Sequence, residues 1–287
     1  MSEYDVDDGQ YDTTTLEIKR AIFNSSYDIV MNEYKEIMKK INVAIMIGRA
    51  GSTGFPGKNI LKINGKHLFE YPLTEATKTK EIDKIFVSTD CPVIIKKSKK
   101  YNVTLIKRPK NLTNKNALGE DVFQHAYLNL LKTEKIKQDE INVIVLLFAN
   151  GATVNKTMIS KGIRILKKNK KFDSAVSVSK YNMWSPLRAR KISKKGTLVP
   201  FVPFKTFGNP KTLNCDRDSQ GDVYFADMSV SVVRSKCLEN LDRGLLPQKW
   251  MGKKIRAIYS SAGCDVDYEW QIPSVEHWIK KNRKNNE

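Results

Sequence analysis

An α/β fold, with a parallel sheet covered by helices on both faces, is what this 287-residue sequence predicts. Two observations carry that reading. From Ile41 onward, short runs rich in β-branched residues ("INVAIMI", "KIFVST", "VTLIK", "NVIVLLF", "SAVSVS") alternate with segments of helical periodicity. The runs are apolar at successive positions rather than alternate ones, as in strands buried on both faces.

Taken in order, residues 1 to 14 are polar and residues 15 to 40 read as an amphipathic helix, so 1–40 is an N-terminal extension to which the sequence assigns no role. The main domain is 41–287. After its first strand, "ILKING" reads as an extended segment closing on an Asn-Gly turn. "GEDVFQHAYLNLLK" gathers Val122, Phe123, Ala126, Tyr127, Leu130 and Leu131 on one face, with Glu120 and Asp121 in the first turn. "NKTMISKGIRILKK" does the same with Met158, Ile159, Ile163 and Leu166. The Pro-, Gly- and aromatic-rich stretch at about 181–219 is too irregular for a βα unit and reads as an inserted arm. "DVYFADMSVSVV" and "KKIRAIYS" return as strands, and "IPSVEHWIKKN" closes the chain as a helix with Pro273 in its first turn. Sheets of this kind bind ligands at the carboxyl ends of their strands.

Charge bounds the function. Fifty Lys and Arg against 31 Asp and Glu give a formal charge of +19. The lysine runs ("KKSKK", "KKNKK") lie at the ends of helical segments and lack the interleaved aromatics or arginines that base stacking and base reading require. No nucleic-acid partner is expected, and anionic small substrates are favoured. Cys91, Cys215, Cys237 and Cys264 form no C-x-x-C pair, which argues against a zinc knuckle or redox dithiol. An acidic N-terminus unlike a secretory signal, with no apolar run of membrane length, leads to the expectation of a cytoplasmic protein without membrane contact.

"GRAGSTGFPGKN", residues 48 to 59, follows the first strand and suits an anion. Walker A spacing would put its first glycine on Ser52 and its hydroxyl on Asn59, and no two glycines are one residue apart as the dinucleotide fingerprint needs. The chemistry still reads as a phosphate cradle: Gly51 and Gly54 permit close backbone approach, and Arg49 and Lys58 supply charge. A glycine-rich turn with two surface cations fits the loop alone equally well. In "GCDVDYEW", Asp265 and Asp267 are one residue apart in a strand-like context, so both carboxylates share a face, an arrangement suited to magnesium bridging to phosphates. A solvated acidic strand end is the alternative.

Together these features resemble the acylneuraminate cytidylyltransferases, the CMP-sialic acid synthetase family. The glycine loop ending in Lys-Asn, "VSTD", an Arg-Pro after the third strand, a Gly-x-x-Tyr strand and a late Asp-x-Asp occur in the family's order across about residues 41 to 280. The resemblance implies a Rossmann-like nucleotidyltransferase sheet, a homodimer formed through a protruding arm, and transfer of CMP from CTP to a nonulosonic acid with loss of pyrophosphate. It implies that Arg49, Ser52 and Lys58 hold the triphosphate, that Asn59 and Arg108 contact the cytidine, and that Asp265 and Asp267 hold Mg2+. Tyr224 and Gln220 stand where the family meets the sugar.

The departures concern the acceptor end. Ser52-Thr53-Gly54 replaces the usual Ser-Lys-Gly, a loop form closer to the Kdo cytidylyltransferases. "FANGATV" (148 to 154) replaces "QPTSP", so Phe148 stands where a sugar-facing Gln is usual and Asn150 lies nearby as a sugar contact. Arg188, Arg190 and Arg217 of the arm either grip the sugar carboxylate or form intersubunit salt bridges. No general base stands out, Asp218 and Asp222 serving equally as turn residues. A sugar 1-phosphate nucleotidyltransferase and a non-catalytic nucleotide- or polyanion-binding protein are the competing readings.

Overall fold

The computed structural model describes residues 13–37, 40–51, 54–214, 216 and 221–283. It resolves into two compact units, residues 1–40 and 41–287. In the first, helix α1 (Thr13–Ile37) exposes Ile18, Ile22, Phe23, Tyr27, Ile29 and Val30.

The second unit is built on a seven-stranded sheet. Its strands are β1 (Ile41–Gly48), β4 (Lys84–Thr89), β5 (Thr104–Lys107), β6 (Ile141–Phe148), β7 (Ser174–Lys180), β10 (Tyr224–Val233) and β11 (Ile255–Ser260). They lie in the order β11-β7-β10-β6-β1-β4-β5. All neighbours are parallel except β10, which runs antiparallel between β6 and β7. The expectation of a wholly parallel sheet is corrected there. The chain enters β10 from the arm at the edge where β7 has just ended, so no crossover helix carries it back to the other edge.

Doubly buried strands explain the unbroken apolar runs. Along β1, Ala44 and Met46 join one core, while Val43, Ile45 and Ile47 join the other. The first core receives α2 (Glu70–Thr77), α3 (Pro92–Ser98), α5 (Lys156–Lys168) and α7 (Ile272–Arg283); the second receives α4 (Gly119–Thr133) and the short α6 (Lys236–Glu239). The periodic apolar residues of α4 and α5 face the sheet as their spacing requires, and the Asn155 side chain caps α5 by accepting the Met158 N–H at 2.9 Å. Gly162 lets α5 lie against the sheet, since a Cβ there would meet Val232 Cγ2 at 2.5 Å. The Asn-Gly turn is present: Asn64 and Gly65 both take positive φ and join β2 (Lys62–Ile63) to β3 (Lys66–His67) as a hairpin. The arm holds a second small hairpin, β8 (Arg190–Ile192) with β9 (Leu198–Pro200).

One feature of this order positions the site. From β1 the chain moves outward to β4 and β5, then crosses to the other side of β1 to form β6. The carboxyl ends of β1 and β6 therefore flank a crevice where strand order reverses, which is where open α/β sheets bind ligands.

Candidate active site

A cavity of about 220 Å³ occupies that crevice. Gly48 and Arg49 leave β1 into it, Phe148 and Asn150 leave β6, Lys58 and Asn59 rise from the short turn after the glycine loop, and Arg108 and Asp265 complete the wall. Six residues singled out from sequence, Arg49, Lys58, Asn59, Arg108, Asn150 and Asp265, thus converge on one space although they span more than two hundred positions.

The loop is held from both ends. The Asn59 amide donates to the Arg49 carbonyl at 2.9 Å, the Ala50 N–H donates to Asp90 Oδ1 at 3.0 Å, and Arg49 Nη1 donates to the Asn114 carbonyl at 2.8 Å. Gly57, at φ 74°, makes the left-handed turn that presents Lys58 and Asn59. Neither Gly51 nor Gly54 takes a positive φ, and a Cβ at Gly51 would meet nothing within 4 Å, so no protein contact demands glycine there. Glycine is demanded at Gly48, where a Cβ would meet the Ala149 Cβ at 2.5 Å. Sequence reading passed over Gly48 because it ends a strand rather than standing in the loop. Ser52 and Thr53 lie outside the described residues.

Arg108 is buried, at 7% exposure. Its Nη2 donates to the Ser88 carbonyl at 2.8 Å, while its Nε has no partner among the described residues. Burial draws the guanidinium down to about 10, Asp90 opposing and Arg49 adding to that fall, so it stays charged at neutral pH. A buried cation with an unused donor on a cavity wall is a ready contact for a polar ligand.

The two aspartates stand in an irregular loop after β11 rather than in a strand. Val266 between them is buried in the core. Asp267 is exposed and pairs with the Lys58 ammonium, whose charge also reaches Asp265. Burial, then the charge of Asp267, raises the Asp265 carboxyl above the ordinary carboxylate range, with Lys58 and the Asn150 amide pulling it back. Among the described residues no group of three or more His, Cys, Asp or Glu could hold a metal. Two neighbouring carboxylates nonetheless fit magnesium, which keeps most of its waters and takes its remaining ligands from phosphates.

Asn150 supports this loop. Its Nδ2 donates to Asp265 Oδ2 at 3.2 Å and to the Val266 carbonyl at 3.0 Å, and its own carbonyl accepts the Val266 N–H. Arg188 is exposed in a turn and lines neither this cavity nor the next. Tyr224 is also outside both linings; its hydroxyl donates to Asp222 at 3.2 Å and its ring meets Tyr259 edge-on. Its strand neighbour Phe225 does line the next cavity, with Ala226 and Asp227 after it. Arg190 sits over the Phe204 ring within the arm, and Asp222 pairs with Lys180. Gln220, Arg217 and Asp218 lie outside the described residues.

That next cavity, about 420 Å³, was not legible in the sequence. It opens at the carboxyl ends of β7 and β11, shares Asp265 with the first, and is walled by Tyr181, Trp184, Phe225 and Trp270. The one available signal was the density of aromatics on either side of the Asp-x-Asp and at the start of the arm. Cys264 also lines it; burial, then the charges of Asp265, Asp227 and Asp267, pushes that thiol up to about 12, so it is no nucleophile. Cys91, Cys237 and Cys264 are free thiols.

Comparison with known proteins gives the family and the likeness of fold. The cytidylyltransferase family model matches residues 43–194. An N-acylneuraminate cytidylyltransferase of Oncorhynchus mykiss is 25% identical over 82% of this chain, which spans half the length of that protein. A 3-deoxy-manno-octulosonate cytidylyltransferase of Thermodesulfovibrio yellowstonii is 22% identical, covering 82% of this chain and 84% of its own. Among solved structures, a CMP:2-keto-3-deoxy-manno-octonic acid synthetase complexed with CTP superposes with a TM-score of 0.58 at 14% identity, over 84% of this chain and 99% of that one, a likeness of fold. With the family model covering more than half of its residues, the chain belongs to the cytidylyltransferase family.

Proposed function

We propose that this protein transfers CMP from CTP to an acidic keto-sugar of the nonulosonic class, releasing pyrophosphate. The observation that carries the reading is the convergence of Arg49, Lys58, Asn59, Arg108 and Asp265 on one cavity at the sheet's reversal point. In it Arg49 and Lys58 take the triphosphate, while buried Asn59 and Arg108 face the nucleoside. The acceptor's anomeric hydroxyl attacks the α-phosphorus in line, the bond to the β-phosphate breaks, and pyrophosphate leaves. Asp265 and Asp267 would hold Mg2+, which supplies charge neutralisation on the phosphates. Lys58 exchanges its contact with Asp267 for phosphate oxygens as the nucleotide binds.

The acceptor sits in the aromatic cavity beyond Asp265. Walls of Tyr181, Trp184, Phe225 and Trp270 suit a sugar bearing acyl or methyl groups better than a plain polyol. The exposed Ile192, Leu198 and Phe201 of the arm favour a homodimer joined there. Among the described residues no helix is long and apolar enough to cross a membrane.

A single panel tests this reading. CTP, UTP, ATP and GTP are each combined with sialic, legionaminic, pseudaminic and Kdo-type acids and with hexose 1-phosphates, with Mg2+ present or omitted. Magnesium-dependent pyrophosphate release with CTP and an N-acylated acid is expected. Release with a hexose 1-phosphate alone would replace the reading with that of a sugar 1-phosphate nucleotidyltransferase.

A further inference from the structure

Asp227 is a buried carboxylate on the wall of the aromatic cavity to which the proposed chemistry assigns no role. It sits on β10 at 4% exposure, where the pairing with β7 is interrupted between Ala226 and Ser231 and where Met228 takes a φ of 56°. It accepts the hydroxyls of Ser177 and, at 2.6 Å, Ser179, both from β7, and the Ser229 N–H at 3.1 Å. Each serine passes the contact on. Ser177 Oγ accepts the Val230 N–H at 3.0 Å, and Ser179 Oγ accepts the Gly263 N–H at 2.9 Å.

Gly263 begins the segment that carries the two aspartates, and that segment is tied at nearly every backbone group. The Tyr181 hydroxyl donates to the Gly263 carbonyl at 3.0 Å. Thr153 donates to the Cys264 carbonyl and accepts the Cys264 N–H, both at 2.9 Å. Asn150 holds Val266 and Asp265. The approach is so close that a Cβ on Gly263 would stand 2.5 Å from Asp227 Oδ2.

A serine has one proton to donate. An ionised carboxylate has none, so it draws both serine protons toward itself and leaves serine lone pairs facing the N–H groups of Val230 and Gly263. An amide at position 227 would present an NH2 group to one serine, turn that hydroxyl around, and set its proton against a backbone N–H. With both oxygens of Asp227 accepting, the directions of two hydroxyls are fixed, and through Ser179 the register of the segment.

We propose that Asp227 is a positioning residue for Asp265 and Asp267, acting through the Ser179 hydroxyl on the Gly263 amide. The proposal rests on the reading of those aspartates as the metal-binding pair.

The test compares wild type with Asp227→Asn, Ser179→Ala and the double variant. Exchange of the Gly263 and Cys264 amides in metal-free protein should quicken by about tenfold in each single variant, the cost of one lost buried hydrogen bond, while β1 and β6 amides keep their protection. Mn2+ dissociation constants, read from the paramagnetic signal of the free ion, should rise about 10- to 100-fold, as when a residue behind a ligand is removed. The double variant should match the worse single variant, because both lie on one path. Unchanged exchange at Gly263, or faster exchange everywhere with unchanged Mn2+ affinity, would overturn the proposal. Absence of Mn2+ binding in wild type would instead overturn the metal reading. Ser179→Ala, which removes one buried hydroxyl and no charge, keeps the test open if Asp227→Asn fails to fold.

Discussion

The two cavities that meet at Asp265 are built from opposite materials. The smaller takes its character from cations and backbone delivered by short sequence stretches: the glycine loop and its Lys-Asn end, and one arginine just past β5. The larger is walled by aromatics gathered from the end of β7, the start of β10 and the turn before α7. Fixed charge and close backbone approach suit a triphosphate, whose chemistry is constant; an aromatic wall suits an acceptor whose substituents differ from one sugar to the next. Under the proposed function the smaller cavity takes the nucleotide and the larger the acceptor.

Breaking the junction should have the largest effect, since it serves both cavities. Asp265→Asn with Asp267→Asn should lower kcat/KM by about 10³-fold or more, the scale for losing charge stabilisation on the reacting phosphates. Pyrophosphate release under saturating Mg2+ measures it, and turnover within a fewfold of wild type would remove these residues from the metal site. Next, Arg108→Ala should raise the KM for CTP by about 30-fold with little change in the acceptor KM, as for loss of a hydrogen bond from a charged group. On the other side, Trp270→Ala should raise the acceptor KM by about tenfold and leave CTP unaffected, the size expected for part of a buried aromatic face. The opposite pattern in either variant would exchange the roles of the two cavities. The smallest effect is expected at Tyr224→Phe, within about twofold in every parameter, because that hydroxyl meets Asp222 outside both linings.

The same contrast explains how far the molecule was legible in its sequence. Strands such as "INVAIMI" and "NVIVLLF" announce themselves because burial on both faces leaves no polar position, and α4 and α5 because one face alone is apolar. Arg49 and Lys58 were legible in the glycine loop and Asp265 in the Asp-x-Asp spacing, whereas Asn59, Arg108 and Asn150 entered through the family resemblance. β10 could not be read as antiparallel, since its apolar pattern is set by burial between β6 and β7 and not by direction. Gly51 and Gly54 drew attention as loop glycines, whereas the backbone contact that demands glycine is at Gly48. Tyr224 and Phe225 show the limit most plainly. Both are aromatic and adjacent, yet Phe225 lines a cavity and Tyr224 lines neither.

Asn150 carries a related lesson. It lies after β6, where a sugar contact was expected, yet its amide is committed to Asp265 and Val266.

The central claim is that CMP, rather than a nucleoside diphosphate, ends up joined to the acceptor, and phosphorus NMR of the product reads this directly. Attack of a sugar hydroxyl on the α-phosphorus of CTP yields one phosphodiester resonance without phosphorus coupling, together with pyrophosphate. That spectrum, obtained with CTP, Mg2+ and an N-acylated nonulosonic acid, is the result the account predicts. A pair of mutually coupled resonances from a sugar 1-phosphate, with no product from any acidic keto-sugar, would contradict it.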